Sequence, residues 1–325
     1  MFSGNWKGRA VGSKSWTYVW CIVAQTAIFG LGNAVTKLAY DSITPFWCLA
    51  LRFGLALLVF AVFFGRRIVL QLRQANLVDW LPAALCMAVS YISCNVALAL
   101  TSATNVGFLV ALPIVFTPVA AVFVLKRPYK LVHLPFQALA VFGLYLLCCN
   151  GGAFVFGWGE VLALVSAASL AGALVFGERG LKSLDVATVS AAQIGVTFVL
   201  SLVGALSLEP MIDVAAVQPP AWGVIVFLAL LSTCLTFALQ NVALTRLSST
   251  TVSMLLCGEP LFTAAFSWIV LGEMLSGVGF AGAGLIVACV LVETYLDGRL
   301  AANVRSKARR GSRASQSPAL ESGSS

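Results

Sequence analysis

Apolar residues run along this chain in long blocks, separated by short interruptions that carry most of the charge and proline. A helix needs about 20 mostly apolar residues to cross the hydrocarbon core of a bilayer. The pattern predicts ten spanning helices, at 16–39, 45–64, 79–99, 103–125, 134–150, 157–177, 186–208, 221–241, 250–271 and 277–296. The longest connections, Gly65–Val78 and Glu209–Pro220, are rich in charge or proline, as loops are. Trp16, Trp20, Trp47, Trp80, Trp158 and Trp222 fall near predicted span ends, where aromatic rings favour the headgroup zone. No clear signal peptide precedes the first span, whose later part carries Asn33 and Lys37.

Composition sharpens this picture. Of 325 residues, 60% are hydrophobic and only 10% charged, with mean hydropathy +0.97. A soluble domain carries roughly 25% charged residues, so this chain must be solvated by lipid. The expected fold class is an all-α integral membrane protein.

The net charge of +8 would suit nucleic acid, but its placement argues against that partner. One set of alternate loops and the two ends hold 18 of the 20 basic residues, from Lys7, Arg9 and Lys14 to Arg313. The opposite loops hold Asp41, Glu209, Asp213 and Glu273 and no basic residue; Lys37 and Arg52 lie within spans. By the positive-inside rule both termini are cytoplasmic, which requires an even number of spans. The expected organisation is a cytoplasmic segment 1–15, membrane units 16–150 and 157–296, and a basic tail 298–325. That tail is expected to be disordered and to lie against anionic lipid. The expected location is the plasma membrane.

Seven of the nine cysteines, such as Cys86, Cys94 and Cys257, sit inside apolar runs and read as small apolar side chains. The single histidine, His133, has no thiol or carboxylate cluster near it in sequence. Cys149-Asn150-Gly151-Gly152 lacks the Lys-Ser/Thr ending of a phosphate-binding loop. No metal and no cofactor is expected, and paired acids or a nucleophile–base pair suited to enzyme chemistry are not visible.

The chain also repeats itself. A shift of 146 residues aligns Asn95-Val96-Ala97-Leu98 with Asn241-Val242-Ala243-Leu244, and pairs Ser102 with Ser248, Thr104 with Thr250 and Thr117 with Thr263. The helix breakers Pro113 and Pro260 nearly correspond. Repeats of five spans, an odd number, must be inverted relative to each other, an arrangement common in secondary transporters.

Several segments, taken in order, resemble the drug/metabolite transporter superfamily of EamA type. Phe29 through Lys37 looks like that family's first-helix motif, with Phe29 where Trp is usual. Ile43-Thr44-Pro45, followed by Ala50-Leu51-Arg52-Phe53, is similar to the segment opening the second helix. Leu256 to Phe262 and then Ile269-Val270-Leu271-Gly272-Glu273 resemble the ninth helix with its Leu-Gly-Glu ending. Gly279 through Val292 looks like the Gly-rich tenth helix. The first repeat ends Leu125-Lys126-Arg127 instead, so no glutamate role carries over there. The resemblance implies ten helices around a central cavity that exports or exchanges amino acids, other metabolites or drugs.

Within that frame the substrate-binding candidates are Asn33, Lys37, Arg52, Tyr91, Asn95, Gln240, Asn241, Glu259 and Trp268. A charge deep in a span is costly and faces a cavity or a partner. Arg52 reads either as an anchor for a substrate carboxylate or phosphate, or as a structural arginine bonded to helix carbonyls. Lys37 stands four residues before Asp41, so the two can meet on one helix face. Glu259, beside Pro260, reads as a proton-coupling or cation-binding carboxylate, or as a protonated tie between helices. The amides and hydroxyls serve either substrate or interhelical hydrogen bonds; Asn95 and Asn241, repeat-related, favour structure. Phe116 and Trp268 are candidates for an aromatic pocket. Gly277, Ala281, Gly284 and Ala288 form a small-residue stripe, expected to pack within the protomer, with a homodimer as the other use. The expected partners are a small-molecule substrate and the lipid bilayer.

Overall fold

The computed structural model describes residues 16–40, 42–101, 103–128, 131, 134–149, 157–213, 217–271 and 276–292. The segment 1–15, the tail 298–325, Asp41, His133 and the side chains of Asn33, Lys37 and Trp268 lie outside the described residues. The elements are α1 (Trp16–Tyr40), α2 (Pro45–Gln74), α3 (Leu77–Leu100), α4 (Ala103–Val110), α5 (Pro113–Leu125) and α6 (Leu134–Cys149). They continue with α7 (Trp158–Gly180), α8 (Val186–Leu208), α9 (Pro219–Ala229), a π-helical turn (Leu230–Leu235), α10 (Thr236–Leu244), α11 (Ser249–Leu256) and α12 (Glu259–Leu271). The last described helix is α13 (Gly277–Val292). Among the described residues every regular element is helical.

Six units are long and apolar enough to cross a membrane: α2, α3, Val106–Leu125, α7, α8 and Pro219–Leu244. Shorter apolar helices cover Trp16–Gly32, Leu134–Leu147 and Gly277–Val292. Their outward surfaces are apolar, with Phe63 and Phe123 about three-quarters exposed at 74% and 77%. Gln25, Arg52, Ser90, Asn241 and Ser253 are buried instead. Lipid faces carbon, and the polar groups turn toward one another.

Two helices are interrupted, each at or just before a proline. After Val110 the chain makes a turn at 111–112 and restarts on Pro113; after Leu256 it turns at 257–258 and restarts on Glu259-Pro260. Proline has no N–H to give and is best accommodated in the first turn of a helix, although Pro82 and Pro118 lie within α3 and α5 without ending them. Both interrupted helices consist of an eight-residue piece followed by a thirteen-residue piece. Their starts are offset by 146 residues in each case, the same shift that aligns the sequence with itself.

One expected loop is mostly helix. The stretch read as a connection from Gly65 to Val78 continues α2 to Gln74 and leaves only 75–76 outside a helix. Charge marks where the apolar block ends but does not stop a helix, and nothing between Gly65 and Gln74 breaks one. The overhang has work to do: Arg67 forms an ion pair with Asp185, the residue that caps α8. Gln71 Nε2 donates to Asp185 Oδ2 at 2.9 Å, and the Asp185 N–H returns a bond to Gln71 Oε1 at 3.2 Å.

The opposite end of the same antiparallel pair is tied as firmly. Thr44 precedes α2 but gives no cap through its own side chain. Glu209, just past α8, fills that role: it accepts the Phe46 and Trp47 N–H groups at 3.1 Å each and the Thr44 hydroxyl at 2.5 Å. A carboxylate on a helix N-terminus satisfies donors that otherwise have no partner and is favoured by the helix dipole. Glu209→Ala should therefore cost about 1–2 kcal/mol. A thermal-shift assay in detergent would register it, and an unchanged midpoint would refute the capping role.

α3 and α7 pack antiparallel and very closely. A Cβ on Gly159 would meet Thr101 at 2.8 Å, and one on Gly180 would meet the Asp79 carbonyl oxygen at 2.3 Å. Small residues bring helices this near. In α13 the close face is Gly282, whose added Cβ would lie 2.6 Å from the Gly143 carbonyl oxygen. The stripe of Gly277, Ala281, Gly284 and Ala288 faces outward instead, which overturns its expected packing within the protomer. A helix buries one face only, and Gly282, Ile286 and Cys289 take it.

Candidate functional site

Helices from both halves of the chain meet at one cavity. Phe29, Gly32 and Thr36 of α1, Arg52 of α2, and Ser90, Tyr91, Cys94 and Asn95 of α3 line one part of it. Ser166 of α7, Ser232 of the π turn, Gln240 of α10 and Glu259 of α12 complete the polar wall. It encloses about 80 Å³, room for a handful of waters at roughly 10–15 Å³ each.

Arg52 is buried, at 6% exposure, and its guanidinium is engaged. Nε donates to Thr233 Oγ1 at 2.6 Å; Nη2 donates to the Ser232 carbonyl at 2.6 Å and to Ser232 Oγ at 3.1 Å. Both partners lie in the π turn. A π turn interrupts the usual i to i−4 bonding of the helix, and Arg52 and the Thr236 hydroxyl both donate to the Ser232 carbonyl. The guanidinium also stands 5.5 Å from the Tyr91 ring centroid, and Tyr91 meets Phe53 edge-on at 5.0 Å. The hydrogen bonds of Arg52 are those of a structural arginine. It borders the cavity while fastening a helix from the other half.

Glu259 is the first residue of α12 and lines the same cavity. The turn before it is closed by the Gly258 N–H on the Leu255 carbonyl at 3.1 Å, so Glu259 stands at the N-terminal end of α12. That end is where a helix stabilises negative charge. Tyr91, Asn95 and Gln240 also reach the cavity. Asn95 Nδ2 donates to the Tyr91 carbonyl at 2.8 Å, and its Oδ1 accepts the Tyr40 hydroxyl. Gln240 Oε1 accepts from Gln25 Nε2 at 2.8 Å, a bond between residues 215 apart in sequence.

Asn241 is not among the lining side chains. It is fully buried behind the cavity wall, donating to Ser190 Oγ and Gln193 Oε1 at 2.9 Å each. Successive helical residues point about 100° apart, so Gln240 and Asn241 serve different surroundings. Asn33, Lys37 and Trp268 fall outside the side chains described. Phe116 is not on the wall. Pro113 and Pro260 open their helices as expected of breakers.

The wall, with Ser232 and Ser166, and the layer behind it, with Thr233 and Gln25, hold residues that sequence reasoning passed over. Ser232 and Thr233 are a hydroxyl pair inside an apolar run, a visible signal whose meaning needed the π turn. Gln25 is an amide in the first span with no exposure at all. Ser166 faces Ser90 at 3.1 Å between hydroxyl oxygens and joins α7 to α3 at the wall.

Chemically, the arrangement presents a guanidinium, a carboxylate, two amides and several hydroxyls around a small volume enclosed by apolar helices. It suits a small polar solute carrying charge of both signs.

Comparison with known proteins gives a consistent result. The chain matches the EamA-like transporter family over residues 16–149 and again over 157–294. The uncharacterized transporter YoaV of Bacillus subtilis (strain 168) is 25% identical, over 86% of this chain and 97% of its own length. The threonine/homoserine exporter RhtA of Escherichia coli (strain K12) is 31% identical, over 58% of this chain and 62% of its own. A solved crystal structure superposes with TM-score 0.72 at 19% identity, covering 89% of this chain and 99% of that one.

Proposed function

Since this chain belongs to the EamA-like transporter family, a multi-pass membrane carrier of small molecules, we propose that it exports a small amino acid by alternating access. The cavity shared by both halves carries this reading: a guanidinium and a carboxylate lining one cavity suit a zwitterion. The name of the relative RhtA, a threonine/homoserine exporter, supports the same substrate class. The ten-span reading pairs α4–α5 and α9–α10 as continuous crossings and adds α11–α12 as another. The equal offset of the two broken helices supports two inverted repeats of five. Both termini then face the cytoplasm, and the protein sits in the plasma membrane.

Glu259 is our choice for the coupling group. In proteoliposomes, Glu259→Gln should lower pH-gradient-driven amino-acid accumulation at least tenfold, and by much more than it lowers equilibrium exchange, which loses the carboxylate only as a substrate contact. A proton carrier is needed for the first process and not for the second. Undiminished gradient-driven accumulation would remove Glu259 from the coupling step.

Efflux of hydrophobic cations is the second reading, favoured by the carboxylate on the wall. Size speaks against it. Drug-sized ligands occupy pockets of roughly 300–1,000 Å³, several times the 80 Å³ found here. Flux of a lipophilic cation dye with no flux of any amino acid in a panel would reverse the preference.

A further inference from the structure

Behind the cavity wall, α7, α8 and α10 meet at a cluster of buried amides that the transport reading does not use. Asn241 and Gln193 have no exposure, and one hydrogen bond of 2.9 Å joins Asn241 Nδ2 to Gln193 Oε1. That leaves Asn241 Oδ1 and Gln193 Nε2 without partners among the described residues. Both approach the same spot. A Cβ built on Gly177 would lie 3.8 Å from Asn241 Oδ1, 3.8 Å from Gln193 Nε2 and 3.6 Å from Leu244 Cδ1.

We propose that the notch left by the missing side chain of Gly177 is a binding site for one structural water molecule, shared by Asn241 and Gln193. The unpaired atoms are one acceptor and one donor. Water satisfies both at once, donating to Oδ1 and accepting from Nε2, whereas a bare cation would face the amide N–H with nothing to offer it. The conclusion does not depend on how the amides are turned. Rotating both exchanges the roles and again leaves one donor and one acceptor at the notch. Buried polar groups are as a rule satisfied, by water where protein does not reach. Gln240 borders the cavity and its neighbour Asn241 borders this water, so α10 carries a polar contact on each side.

The site makes a prediction of sign. Alanine is a better helix former than glycine, and the added Cβ meets its neighbours at ordinary contact distance. If the notch is dry, Gly177→Ala raises the unfolding midpoint in detergent by about 2–4 °C. If it holds water, the methyl group displaces it and strands two amide atoms, and the midpoint falls. In a Gln193→Leu/Asn241→Leu background, where nothing polar is left to strand, the same substitution should raise it. A rise in the wild-type background overturns the proposal. Should the double background fail to fold, a structure at better than about 2.2 Å decides the matter directly. A density peak within 2.7–3.2 Å of both amides is expected in wild type and not in Gly177→Ala; an empty notch in wild type would dispose of the idea. Neither readout depends on what the protein carries, so the site stands or falls apart from the proposed substrate.

Discussion

Replacing Arg52 by alanine should lower folding stability by on the order of 3 kcal/mol and abolish transport in whatever protein still folds. The expectation rests on what the guanidinium holds. It donates three hydrogen bonds, two of them at 2.6 Å, to consecutive residues of the π turn. Bonds to charged groups contribute roughly 1.5–3 kcal/mol each before the costs of burying them, and the Ser232 carbonyl would lose its guanidinium donor while keeping the Thr236 hydroxyl. Arg52→Lys should recover a minority of the loss, because a point charge cannot fork to Ser232 and Thr233 together. Ser232→Ala, which removes only the 3.1 Å contact, should cost far less. Thermal midpoints of the three variants would order as Ala, Lys, then Ser232→Ala; an Arg52→Ala midpoint within a degree or two of wild type would show the turn needs no fastening. Arg52→Ala cannot separate a carboxylate carrier from a cation pump, since it loosens the scaffold of both.

Gly30→Val should be the other severe change. A Cβ at Gly30 would lie 2.7 Å from Phe262 Cβ and the Thr263 nitrogen, and 2.8 Å from the Phe262 carbonyl carbon. Two of those atoms are backbone, so no side-chain rotation relieves the contact. Overpacking of this kind costs about 1–3 kcal/mol, and the valine branches add to it. Since α12 starts at Glu259, pushing it off α1 also displaces the carboxylate from the cavity wall. Transport should fall at least tenfold even where the protein is recovered folded. Gly65→Ala is the matched control, with nothing within 4 Å of its added Cβ, and should be neutral or slightly stabilising. Equal behaviour of the two variants would mean that α1 and α12 do not touch as described.

The six long spans were legible because apolar length is a one-dimensional property, and a bilayer demands it regardless of tertiary context. The breaks at Pro113 and Pro260 were legible for a similar local reason. The continuation of α2 past Gly65 was not, because a helix that leaves the membrane looks like a loop when only apolarity is followed. Its partner Asp185 lies 118 residues after Arg67 in the chain. The π turn was equally hidden: Leu230 to Leu235 reads as ordinary span, and only Arg52, 180 residues earlier, reveals why Ser232 and Thr233 are there. Of the proposed polar contacts, Arg52, Tyr91, Asn95, Gln240 and Glu259 converge on the cavity, whereas Asn241 turns away by its place on the helix. Which side of a buried helix a residue takes is set by its neighbours in space, and a uniformly apolar span carries no stripe from which to read it.

The clamps on α2 and α8 limit how this molecule can move. Glu209 grips the start of α2, and Asp185, at the start of α8, holds Gln71 and pairs with Arg67. Rods bolted to each other near both tips can tilt together, but neither can slide along the other without shedding charged contacts at two levels of the membrane. They form a strut. In the proposed cycle the strokes that carry a solute across come from the jointed rods around it, at the elbows ahead of Pro113 and Glu259, while the distance between α2 and α8 stays constant.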